Sequence, residues 1–107
     1  MAYKDYSDAR DFYASPEWAR ASRVYGVAYL YFAVCKPPRR ICVNHFTALM
    51  EIAEKEYTVD QAIEAFRPRT EPSSFGWEAQ LHPGRWKSLL EDCPEYRHLQ
   101  PLVEGQS

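Results

Sequence analysis

The stretch Val43 to Phe66, VNHFTALMEIAEKEYTVDQAIEAF, narrows the fold of this chain more than any other, because apolar residues recur along it at helical spacing. Phe46, Leu49, Ile52, Ala53 and Tyr57 make one stripe, while Glu51, Glu54, Lys55 and Glu56 fall mostly elsewhere, the pattern of an amphipathic helix. Asn44 is placed to cap its start. A second helix follows almost at once: Thr58 and Gln61 form an S/T-x-x-Q capping box, and Val59, Ala62, Ile63 and Phe66 give it an apolar face.

A helix pair so closely joined, with Ala53, Ile63 and Phe66 at the inter-helix positions, has the outline of a DNA-reading helix-turn-helix. Its charge opposes that use. Between Asn44 and Phe66 stand Glu51, Glu54, Glu56, Asp60 and Glu64 against Lys55, whereas a helix that seeks phosphate should be basic. The net charge of −2 is unevenly distributed, since Met1 to Val43 holds seven basic and four acidic residues. One end can therefore face phosphate while the middle repels it.

At 107 residues, 46% of them hydrophobic and 15% aromatic, the chain is expected to form one domain with one core. The opening MAYKDYSDARDF lacks the apolar run of a signal peptide, and no stretch reaches the roughly 20 apolar residues of a membrane helix. The three cysteines, an odd number, fit reduced thiols better than a disulfide framework. A cytoplasmic protein that does not enter the membrane is the expectation.

The fold class expected is mainly α, a small single-domain bundle of four to five helices. Residues 1–14, polar with Tyr3, Tyr6, Phe12 and Tyr13 interspersed, read as an arm docking on the core. Ser15-Pro16-Glu17 starts a helix, with Ser15 as cap, Pro16 first and Glu17 suited to the dipole. Trp18, Ser22, Tyr25, Tyr29 and Phe32 then follow at spacings of three and four, which carries the helix to Val34. The alternative is a strand from Gly26 to Val34, GVAYLYFAV, which would make a short β-hairpin near residues 26–43, with Ile41 to Val43 as a further short strand. Lys36-Pro37-Pro38-Arg39-Arg40 is a turn or extended link and the most basic patch of the chain. Residues 67–84 read as a long loop pinned by Phe75 and Trp77. Pro83 and Pro94 begin two short helices, and residues 103–107 form a fraying tail.

Three constellations can carry function. Asn44-His45 beside the basic turn offers a general base or metal ligand in His45, set against simple capping of the helix. Cys35, Cys42, Cys93 and His98 supply four ligands soft enough for tetrahedral zinc, set against their being small buried side chains. The aromatics outside regular helices, Tyr3, Tyr6, Tyr13, Phe75 and Trp77, offer stacking surfaces or interface anchors. The acidic helix pair is a solvated face, or one that imitates nucleic-acid phosphate to a partner.

Three segments, DFYASPEWARASR, VNHF and RHLQPLVEGQS, follow in an order that resembles the HNH (ββα-metal) endonucleases of phages and mobile elements. The resemblance implies His45 as the family's general base. It also implies a metal site lost from this chain, because Val103, Gln106 and Ser107 stand where the family places a cysteine pair and a histidine, and a helix pair replaces its β-hairpin. Half a site does not stabilise the charge of phosphodiester cleavage.

The expectation is therefore a non-catalytic interaction protein that binds a protein or nucleic acid, using Tyr13, Phe75 and Trp77 with Lys36, Arg39 and Arg40, and needing no cofactor. Its alternatives are a nuclease using His45 with zinc or another divalent metal, and an acidic-faced inhibitor of a nucleic-acid-binding protein.

Overall fold

Ser15, Pro16 and Glu17 set the start of the helix on which everything else is built. In the computed structural model, which describes residues 11, 13–72 and 83–101, helix α1 (Pro16–Val34) opens with the Ser15 hydroxyl accepting from Trp18 N at 3.2 Å. It ends at Cys35, just before Pro37 and Pro38, whose rings forbid continuation. Every residue from Val24 to Leu30 is buried. A helix apolar all round needs neighbours all round. These are supplied by the helix pair, the short strand that follows α1 and the two C-terminal helices, all of which pack on it. The apolar run GVAYLYFAV is therefore helix rather than strand, and α1 is the centre of the fold.

Gly26, a poor residue for a helix interior, has a reason to be there. A Cβ at this position would lie 2.7 Å from Leu89 Cδ1, so the glycine lets α1 and the helix bearing Leu89 approach closely.

Strand β1 (Arg39–Ile41) pairs antiparallel with β2 (Thr70–Pro72), matching Arg39 to Pro72, Arg40 to Glu71 and Ile41 to Thr70. One arm of the expected strand pair thus lies within residues 26–43, slightly earlier than Ile41 to Val43, while its partner comes from the expected loop 67–84. Pro37 and Pro38 offer no ladder donors to a local partner, so pairing is sought further along the chain. That loop is ordered at its start, where Arg67–Arg69 forms a 3-10 turn leading into β2.

Helix α2 (His45–Lys55) and helix α3 (Val59–Phe66) form as their caps dictate. The Asn44 amide oxygen accepts from Phe46 N at 2.8 Å and Thr47 N at 3.3 Å. Thr58 and Gln61 exchange both bonds of the capping box. The link between them turns at Glu56, in the left-handed region at φ 52°, and Arg20 of α1 clasps it by donating to Tyr57 O at 2.8 Å and Glu56 O at 3.4 Å. Helix α4 (Pro83–Asp92) and a 3-10 segment (Pro94–Leu99) close the bundle. The Tyr96 hydroxyl donates to the Asp60 carboxylate and ties this last segment to α3. Among the described residues no helix is long and apolar enough to cross a membrane.

Because an L-residue is strained in the left-handed region, Glu56→Gly is expected to stabilise the fold by about 0.5–1 kcal/mol. Urea denaturation checks it: the midpoint should rise with unchanged slope.

Of the segments expected at the termini and in the long loop, most of the arm 1–14, loop residues 73–82 with Phe75 and Trp77, and the tail 103–107 lie outside the described residues.

Candidate docking surface

Two caps bring three aromatic rings together. Ser15 turns the chain into α1 so that Tyr13 precedes it and Trp18 ends its first turn, while Asn44 starts α2 with Phe46 at its second position. The ring centroids lie 4.8 Å apart for Tyr13 and Trp18, 5.8 Å for Trp18 and Phe46, and 6.3 Å for Tyr13 and Phe46. Edge-on and tilted contacts at these distances hold one another in place. Tyr13 is 46% exposed and Phe46 45%, the exposed large hydrophobics among the described residues. Trp18, partly buried against the core, anchors them to it.

From this patch a line of contacts runs along one face of α1, where Trp18, Tyr25 and Tyr29 share a stripe. The His45 ring meets Tyr25 edge-on at 4.6 Å, and Tyr25 meets Tyr29 at 5.6 Å. Burial pushes the Tyr25 phenol up to about 12. Tyr29 is raised further, by burial first and then by Tyr25, against a lowering by Arg40. The unfolded chain releases these protons near pH 10, so the stability from burying neutral phenols is intact below pH 10 and is lost as pH climbs toward 12. Unfolding followed by circular dichroism should therefore coincide with a late rise in phenolate absorbance above pH 10. A rise that is complete before unfolding begins would show these phenols to be accessible.

At the far end of the stripe the basic turn gathers more charge than its sequence suggests. The β1–β2 pairing brings Arg69 to the end of β1, where Cys42 N donates to Arg69 O at 2.6 Å, and Arg67 stands near Cys35, the residue before Lys36. The most basic patch of the sequence is partly neutralised in the fold. The strand register sets Glu71 opposite Arg40, whose Nη2 and Nε donate to it at 2.7 and 3.1 Å. Arg69 pairs with Glu51 at 2.9 Å and Arg67 with Glu64 at 3.4 Å. The hydrogen bond that Arg67 donates to the Tyr31 oxygen, and then the charge of Glu64, hold the Arg67 pKa above its ordinary value. Lys36 and Arg39 make no ion pair among the described residues.

The remaining candidates do not assemble into reactive sites. The amide oxygen of Asn44 is committed to the cap of α2, and His45 is the exposed first residue of that helix, leaning on Tyr25. Among the described residues no group of three or more His, Cys, Asp or Glu side chains is placed to hold a metal ion. Cys93 stands near Arg23 of α1, whereas Cys35 caps the same helix about 18 Å further along its axis, so Cys35, Cys42, Cys93 and His98 do not converge. The acidic helix pair is largely committed within the fold: Glu51 accepts from Arg69 and Tyr57, Asp60 from Tyr96, and Glu64 pairs with Arg67.

Of the binding residues read from sequence, Tyr13 lies in the patch and Lys36, Arg39 and Arg40 at the basic end. Phe46 and Trp18 were read as core positions. The signal available for Phe46 was its place at the very start of a capped helix, where an apolar stripe outruns the surface it packs against. The chain matches no known protein family, characterised protein or solved structure in the comparisons made.

Proposed function

We propose that this chain is a non-catalytic interaction protein that docks on a protein partner through Tyr13, Trp18 and Phe46. The observation that carries this reading is the patch itself: three mutually supported rings, two of them nearly half exposed, held by two helix caps. Rigid aromatic anchors are the residues on which binding energy concentrates at protein interfaces. Nucleic acid is less well served. Of the five cations at the basic end, Arg40, Arg67 and Arg69 already face carboxylates. Two remaining phosphate contacts would give a salt slope near −2 and weak binding at physiological salt. On this reading the segments that resemble HNH endonucleases serve a scaffold kept for binding.

A photo-cross-linking residue in place of Phe46 tests the proposal in cells. One protein should be captured from position 46 and, separately, from position 13, but not from the exposed Lys87 on α4. The same products from all three positions would contradict it.

A further inference from the structure

Two features near opposite ends of α1 define what a partner must offer. At one end lies the aromatic patch. At the other, beyond Tyr29, Lys36 and Arg39 stand without carboxylate partners among the described residues, while the three arginines around them are matched by Glu71, Glu64 and Glu51. From Trp18 to Val34, the end of α1 just before Cys35 and Lys36, is sixteen residues of helix, about 24 Å. An interface burying roughly 800 Å² per partner covers both ends at once.

We infer that the partner's docking segment is acidic, with an apolar side chain seated on Tyr13, Trp18 and Phe46 and carboxylates meeting Lys36 and Arg39. The inference rests on the docking reading above and adds the chemistry of the partner. Charge complementarity supports it: among the described residues the other cations at this end face carboxylates, while Lys36 and Arg39 make no ion pair. A peptide is favoured over a nucleic-acid strand because Glu71, Glu51 and Glu64 lie among these cations. A continuous row of phosphates would run against them, whereas discrete carboxylates need meet only two points. Extended chain at about 3.3 Å per residue covers the 24 Å in roughly seven residues, which sets the spacing between apolar anchor and carboxylates. Opposite charges at the rim act chiefly by steering association.

Selection of short random peptides displayed against the full chain, followed by titration of the selected peptides, tests this. The expected winners carry Asp or Glu about seven residues from Phe, Leu or Trp. They should lose about tenfold in affinity on Phe46→Ala, and as much on Lys36→Glu/Arg39→Glu, in that case through slower association that weakens with salt. Peptides that require Phe46 but ignore the charge reversal would overturn the acidic partner and leave the docking reading standing. Failure to obtain any Phe46-dependent peptide would overturn both. Tighter binding of a single-stranded oligonucleotide than of any peptide, or a dimer of the chain abolished by Phe46→Ala, would also overturn the inference, by supplying a different occupant. Circular dichroism confirms that each variant is folded.

Discussion

Replacement of Phe66 by alanine is expected to remove about 3–5 kcal/mol of unfolding free energy, the range for emptying an aromatic site in a close-packed core. Phe66 is fully buried at the end of α3, where that helix packs on α1. The guanidinium of Arg69 lies 5.7 Å from its ring. The lost ring therefore loosens two things together, the seat of α3 and the turn that delivers β2 to β1. For a domain whose total stability is of order 5–15 kcal/mol, this approaches the unfolding threshold at ordinary temperature. Urea denaturation reads the loss directly, and a change below about 1 kcal/mol would mean that α3 is not part of the core.

The second large effect concerns Gly26. Gly26→Leu is expected to cost about 1–3 kcal/mol or more, because the added side chain must enter space held by Leu89. Gly26→Ala should be close to neutral. The nearest atom is the methyl tip of a flexible side chain, and its displacement is offset by the roughly 1 kcal/mol that alanine gains over glycine in a helix. A double-mutant cycle isolates the contact: with Leu89→Ala in the background, Gly26→Leu should cost markedly less than it does alone. Additive effects would show that the two residues do not touch.

Local chemistry made much of this architecture legible in the sequence. Ser15, Asn44 and Thr58 cap helices where capping rules place them, and Pro83 and Pro94 open the two C-terminal segments. These signals are complete within four or five residues. What depended on distant parts of the chain was not legible. No local pattern announces that Arg39 to Ile41 will pair with Thr70 to Pro72, so the carboxylate opposite Arg40 could not be foreseen, and with it the partial neutralisation of the basic turn. The stripe from Phe46 to Tyr57 is the clearest in the sequence, whereas the run that is apolar all round, Val24 to Leu30, is the one the others surround. Periodicity shows which face of a helix is apolar and not how much of that face a neighbour covers. For that reason Phe46 read as core and stands exposed.

That exposed ring is where the account is most directly tested. Once cross-linking has identified the partner, its affinity for Phe46→Ala should be compared with that for the unmodified chain, alongside thermal unfolding of both. The expected result is a weakening of about 30-fold, near 2 kcal/mol, as for a central aromatic anchor, with little change in melting temperature because the ring is nearly half exposed. Unchanged affinity in a folded variant, or a loss that merely tracks unfolding, would contradict the assignment of Tyr13, Trp18 and Phe46 as the docking surface.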